Sequence, residues 1–370
     1  MRVTFVLPFL ARRPVGGIRV IYEYANRLAE RGHDVKLIHA THLRRLRLDE
    51  ESRAISWTKG LVKRVTYPLV RPRPRWQPIH ESVGLEYVPD LTAEFIPDAD
   101  VVFATAWQTA DYVAVYPDCK GAKFYLVQDF GPWLGPTDQI ETTWREPFFK
   151  VTVSGWLYKK VVGATGSDHD IVTIPVAVDH DIYRVSVPLR SRGKRVTMMW
   201  GITSYKTPEI GLEAMSIAKE KHPDLDVAIF GPAAHRPKGL PSWMQYRGGL
   251  SNAAVAQIYN ESQVFVCSSV AEGFALPPAE AMACGCAVAS TDCGGIREYA
   301  EHQVNALLSP VGDPKVLAAN IVRLLDDSGL QERIALAGVQ RIKDFTWKRS
   351  TDLLEAVLQE RIRRDLEASR

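Results

Sequence analysis

Short apolar runs alternate with helix-spaced segments along most of this chain, and that alternation constrains its fold more than any other feature. Arg2-Val3-Thr4-Phe5-Val6-Leu7-Pro8 reads as a buried strand, and from Gly17 to Arg31 the residues Ile18, Ile21, Tyr22, Ala25, Leu28 and Ala29 recur at helical spacing. Gly32-His33-Asp34 turns the chain, and Val35-Lys36-Leu37-Ile38-His39 makes the next strand. A strand, a glycine-rich turn, a helix and a second strand open a Rossmann-like parallel sheet. Further strands read at 101–103 and 124–127. The same order restarts at Val196-Thr197-Met198-Met199-Trp200 and continues through strands at 227–231, 264–268, 286–290 and 306–308. Helices are expected there over about 208–219, 252–260 and 314–325.

A length of 370 residues is long for one core, so two domains are expected. The fold class is therefore α/β, with a Rossmann-like parallel-sheet domain over 1–183, a polar and basic linker at 184–195 (RVSVPLRSRGKR) and a second such domain over 196–346. Residues 347–370 follow as an amphipathic helix running to about Arg364.

Chemistry concentrates in Glu272-Gly273-Phe274-Ala275-Leu276, a loop that enters a helix opened by Pro277 and Pro278, where the missing N–H groups do no harm. Ala279, Ala281, Met282, Ala283 and Cys284 place that helix in a close-packed layer, and Gly285 ends it. Free amides at Phe274, Ala275 and Leu276, together with the helix dipole, favour a phosphate. A carboxylate near a phosphate is repelled by it. Glu272 and Glu280, one turn into the helix, therefore make sense facing hydroxyl groups on either side of the phosphates, as a sugar and a ribose would supply. Gly16-Gly17 lies where backbone can approach a phosphate, but it lacks the G-x-G-x-x-G pattern of a dinucleotide cofactor site. Asp129 follows the 124–127 strand at its carboxyl end, where open parallel sheets bind ligands, and is either a polar contact there or a turn cap. Trp107, Trp133 and Trp144 either line a sugar platform or pack in the core.

The stretch EGF-x-LPP-x-EAMACG…GG-x-x-E resembles the E-x7-E signature of the family-4 retaining glycosyltransferases, which have the GT-B fold of two Rossmann-like domains facing across a cleft. The resemblance is strong over 196–350 and moderate over 1–40 and 124–180. It implies that Glu272 binds the transferred sugar, Glu280 the ribose, and the amides of Phe274 to Leu276 the diphosphate, with Gly16 and Gly17 facing it across the cleft. Gly231 matches a position near the nucleobase, and the last helix would cross back to the first domain. The segment Gly201-Ile202-Thr203-Ser204-Tyr205-Lys206 matches a diphosphate-neutralising G-R-x-x-x-x-K, but only Gly201 and Lys206 agree with it. Ile202 stands where the arginine belongs, so another cation, Arg19 or Arg247, is expected to compensate. Ala275 replaces a usual glycine and Ala177 another. By the same resemblance the catalytic set is Glu272, Lys206 and Asp129. No metal and no cofactor is implied, a nucleoside diphosphate-sugar being the substrate and a hydroxyl compound the acceptor. The TAW and QDF segments resemble bacterial rhamnosyltransferase-type members, which suggests a deoxysugar donor. A sugar-nucleotide epimerase of the same fold and a non-catalytic sugar-binding subunit are the alternatives. Glu298 and His33 are expected to be structural.

A net charge of +3 is too small to imply a nucleic-acid partner, and no apolar run is long enough for a membrane helix. With no leader pattern before the first strand, a cytoplasmic protein is expected. The five cysteines (Cys119, Cys267, Cys284, Cys286, Cys293) have the wrong spacing for a finger-like zinc site. Residues 41–90 are strongly basic, with Arg44, Arg45, Arg47, Arg71, Arg73 and Arg75 among aromatics and prolines, and read as long loops and short helices. That insertion either seats an anionic or lipid-linked acceptor, touches an anionic membrane at its inner face, or is simply solvated.

Overall fold

The computed structural model describes residues 1–41, 43, 72–233 and 235–368. Two parallel sheets organise them. The first has seven strands in the order β3-β2-β1-β4-β5-β6-β7: β1 Arg2–Leu7, β2 Asp34–Ala40, β3 Gly84–Val88, β4 Val101–Ala104, β5 Ala122–Val127, β6 Phe149–Thr152 and β7 Ile171–Thr173. The second has six in the order β10-β9-β8-β11-β12-β13: β8 Arg195–Met199, β9 Asp226–Phe230, β10 Gln245–Tyr246, β11 Val264–Cys267, β12 Ala287–Thr291 and β13 Leu307–Ser309. The central strands are unbroken apolar runs because helices cover both faces of a parallel sheet; Phe5, Val6, Leu7, Val101, Val102 and Phe103 are fully buried.

Strand order reverses between β1 and β4 in the first sheet and between β8 and β11 in the second. Ligand crevices of open α/β sheets form at such switch points, outside the carboxyl ends of the strands. Gly16 and Gly17 follow β1, Lys206 follows β8 and Glu272 follows β11, so topology alone brings the sequence-derived candidates to these two crevices.

The elements match the alternation pattern closely, with informative differences. Residues 84–88, expected to lie in loops and short helices, form the edge strand β3, half-buried and paired with β2. Helices Trp107–Ala114, Thr137–Arg145 and Ser328–Ile342 also add to those read from the sequence. Within the basic piece at 184–195, Arg192 turns inward and donates to the carbonyls of Val187 (2.9 Å), Ser262 (3.1 Å) and Cys284 (2.7 Å), so this stretch is pinned to the second sheet's layer. The last helix, Trp347–Ala368, packs on the first half. Arg31 bridges Asp352 and Glu355 at 2.6 Å each, Ser350 donates to the Pro175 carbonyl at 2.7 Å, and the Trp347 ring meets Tyr24 edge-on. His33 is held by Glu355 at 2.8 Å, a structural role as expected. Among the described residues no helix is long and apolar enough to cross a membrane. The basic positions 44–71 lie outside the described residues.

Candidate active site

The loop after β11 is fixed before its side chains do anything. Glu272 donates its amide to the Cys293 carbonyl (2.8 Å) and accepts from Gly295 N (2.9 Å). Gly273 is obligatory: a Cβ there would sit 1.8 Å from the carbonyl oxygen of Gln128, which follows β5 in the other sheet. That contact brings Glu272 next to Asp129. Ala275, the helix N-cap, has φ 65° and ψ 70°, a left-handed conformation that costs a residue with a Cβ about 1–2 kcal/mol. The Tyr299 hydroxyl locks it by donating to the Ala275 carbonyl at 2.5 Å. The helix that follows is Leu276–Ala283, with Gly285 at φ 84° closing it as expected.

Glu272 Oε1 receives two donors, Lys206 Nζ at 2.5 Å and Ser269 Oγ at 2.6 Å. Lys206 is delivered by a tight connection in which Thr207, at φ 34°, exchanges hydrogen bonds with Ser268. Gly201 lies beneath the Lys206 stem, where a side chain would collide with it. Burial opposes the Lys206 charge, but Glu272 more than offsets it and holds the ammonium above the usual lysine range. Asp129 accepts from Phe130 N (2.8 Å) and Trp133 Nε1 (3.2 Å). Burial first, and then the Glu272 charge, raise its carboxyl to about 6.

A second charged pair lies deeper. Arg19, one turn into the helix Gly16–Glu30, donates from Nη1 to Glu280 Oε1 at 2.7 Å, and the Tyr183 ring centroid is 5.7 Å from its guanidinium carbon. Burial pushes the Glu280 carboxyl up, and Arg19 pulls it back. Of the two cations named as possible compensators, Arg19 is the one that lies within the candidate site. Arg247 is bonded to Gln245 at the sheet edge, and Ile202 is 69% exposed.

The remaining candidates sort cleanly. Gly16 faces Leu276 at the start of the 276–283 helix, whereas Gly17 faces the Gln128 side chain of its own half. Gly231 packs on the Trp200 carbonyl and accepts from Tyr246 Oη. Phe274 is buried, with its ring packed against Tyr299 and Phe345. Glu298 accepts from Gly155 N at 2.8 Å, a structural tie between the halves. Two tryptophans leave the sugar platform: Trp144 is fully buried, and Trp107 is buried with its Nε1 bonded to the Leu134 carbonyl. Trp133 is half-buried and stacks on Tyr205, ring centroids 4.7 Å apart, as a roof over Asp129 and Lys206. Ser269, Tyr183 and Tyr205 were not legible in the sequence, since a serine, or a tyrosine beside a lysine, carries no spacing signal.

The architecture is GT-B: two parallel-sheet Rossmann-like domains whose switch points supply one site. Anabaena Alr3699/HepE in complex with UDP and glucose superimposes with a TM-score of 0.73 at 16% identity, covering 97% of this chain and all of that one. Sucrose-phosphate synthase from Thermosynechococcus elongatus gives 0.69 at 14%, covering both chains completely. Residues 194–327 match the family described as Glycosyl transferases group 1. The D-inositol 3-phosphate glycosyltransferase of Jonesia denitrificans is 25% identical over 219 residues, 54% of this chain and 51% of that protein. The phosphatidyl-myo-inositol mannosyltransferase of Mycobacterium tuberculosis is 25% identical over 212 residues, 54% and 56% respectively. The match thus spans about half the length of these curated relatives.

Proposed function

We propose that this protein is a retaining glycosyltransferase that moves a sugar from a nucleoside diphosphate-sugar to a hydroxyl acceptor in the crevice between the two sheets. The observation that carries this reading is the Lys206–Glu272 pair on the second half, facing Asp129 of the first beside the entrance of the 276–283 helix. The similarity of residues 194–327 to the group 1 glycosyl transferases supports it, as does a neighbour of the same fold described in complex with UDP and glucose.

In this reading the amides at the 276–283 helix entrance and Lys206 take the diphosphate, and stabilise its charge as the bond to the sugar breaks. Glu280 accepts from ribose hydroxyls. Glu272 accepts from a sugar hydroxyl and orients the ring rather than attacking it. Asp129 contacts the sugar or the acceptor. The leaving phosphate takes the acceptor proton on the face it vacates, which keeps the anomeric configuration. These cations and amides do the electrostatic work, so no metal and no cofactor is required. The acceptor is a hydroxyl compound, a glycan, a lipid-linked molecule or a natural product, and the basic segment 44–75 serves either to seat an anionic acceptor or to touch an anionic membrane from the cytoplasmic side.

Donor turnover tests the reading. The purified protein is offered uridine, guanosine and thymidine diphosphate-hexoses and -deoxyhexoses, with release of nucleoside diphosphate followed. Turnover of one nucleotide class, slow with water and faster with a hydroxyl acceptor, is expected. An epimerised donor formed without acceptor would move the protein to the sugar-nucleotide epimerases, and no turnover of any donor would leave a sugar-binding subunit.

A further inference from the structure

The Arg19–Glu280 pair joins residues 261 positions apart and ties one half of the protein to the other. Its side chains are only 14% and 8% exposed. It is also out of place for a simple stabilising bridge. Glu280 is the carboxylate assigned above to ribose hydroxyls, and Arg19 occupies its acceptor oxygen. Burying such a pair is close to neutral for stability, because desolvation offsets the attraction.

The geometry around it offers Arg19 a second partner. Gly16, at the start of the Arg19 helix, lies against Leu276, at the start of the Glu280 helix: a Cβ on Gly16 would be 3.9 Å from Leu276 Cδ1. The two helices therefore open at one place, and Arg19 and Glu280 sit one turn behind it. Helical side chains lean toward the N-terminus, so the shared entrance lies on the side toward which the Arg19 side chain leans. Of the second half's candidate cation positions, Lys206 lies in the candidate site, while Ile202 is apolar and Arg247 is held at the sheet edge. The planar guanidinium fork suits two phosphate oxygens better than it suits one carboxylate oxygen.

We infer that Arg19 is an exchangeable latch: when a nucleoside diphosphate enters, Arg19 moves from Glu280 to the diphosphate and frees Glu280 for the ribose. The first half then supplies the cation that the second lacks. The inference rests on the nucleotide-sugar reading, and it couples two partner exchanges, so a diphosphate and a ribose on one molecule bind more tightly than the ribose alone.

Calorimetry on the full-length protein tests it with uridine, guanosine and thymidine diphosphates and the matching nucleosides. Arg19→Gln is expected to weaken binding of the preferred diphosphate by about tenfold or more, the loss of one charge-assisted contact, while nucleoside affinity does not fall, because Glu280 is already free of Arg19 in the variant. Adding Ile202→Arg to that variant restores a cation from the second half and recovers most of the loss, which a purely structural role for Arg19 would not allow. Because Arg19→Gln strands a buried carboxylate, the same comparison is repeated between Glu280→Gln and Arg19→Gln/Glu280→Gln, where the difference in diphosphate affinity should persist. Unchanged diphosphate affinity, or an equal loss for nucleoside and diphosphate, overturns the latch and leaves the nucleotide-sugar reading standing. A wild-type protein that binds none of the diphosphates overturns that reading, and the latch with it.

Discussion

Replacing Lys206 by alanine separates two consequences of one contact. Its ammonium is 2.5 Å from Glu272 Oε1, and the two side chains are 16% and 10% exposed. Removing it leaves a largely buried carboxylate next to Asp129, with Ser269 as its remaining donor. Breaking one side of a buried pair costs about 3–5 kcal/mol, and partial solvation at the crevice places this case toward the lower figure. Thermal unfolding should therefore fall by several degrees. Nucleoside diphosphate affinity should fall separately, by about 2 kcal/mol or roughly 30-fold, the worth of a hydrogen bond to a charged group. The double variant Lys206→Ala/Glu272→Gln distinguishes the two effects. Neutralising Glu272 removes the stranded charge and should recover most of the thermal loss, while calorimetric affinity for the diphosphate stays low. The reasoning is refuted if Lys206→Ala binds the diphosphate as the wild type does, or if the double variant recovers affinity along with stability.

Glu272→Gln and Glu280→Gln should each lower transfer by about a hundredfold or more in steady-state assays, since each removes a charged acceptor from a desolvated hydroxyl contact. Asp129 takes its proton near pH 6 in the folded protein and near 3.8 in the unfolded chain, so the native state binds more protons between these values and stability falls as pH rises through that window. Calorimetric unfolding should accordingly show Asp129→Asn gaining on the wild type from about pH 4 to 6 and the difference levelling off above pH 7. Trp133→Ala removes the roof stacked on Tyr205 and admits water, so donor hydrolysis without acceptor should rise several-fold, whereas Trp133→Phe should stay near the wild type. Replacing Arg44, Arg45 and Arg47 with glutamine should weaken adsorption to anionic vesicles at low salt, each cation near the surface contributing about 1 kcal/mol, with neutral vesicles bare throughout; flotation without any lipid preference would mark the segment as solvated.

Legibility in the sequence followed physical signal strength. β1, β4, β8 and β11 were readable because strands buried on both faces are continuous apolar runs. β3 was not: Gly-Leu-Glu-Tyr-Val at a half-buried edge has the composition of a loop, and only its pairing with β2 makes it a strand. Glu272, Glu280 and Lys206 were marked by short motifs, and the fold brings Glu272 and Lys206 into contact, a pairing those separate motifs did not announce. The pairing of Arg19 with Glu280 was invisible because nothing local couples residues in different sheets. The tryptophans were ambiguous for a related reason: Trp107, Trp133 and Trp144 differ only in what the chain later packs against them, and just Trp133 remains half-exposed above the crevice.

The central claim is that a sugar leaves a nucleoside diphosphate in this crevice with its anomeric configuration kept. Proton NMR of the first product formed, with the donor that turns over and an acceptor that accelerates it, reads that directly from the anomeric coupling constant. An axially linked donor giving an axially linked product, at a rate abolished in Glu272→Gln, is the expected result; an inverted anomeric centre, or turnover indifferent to Glu272, contradicts it.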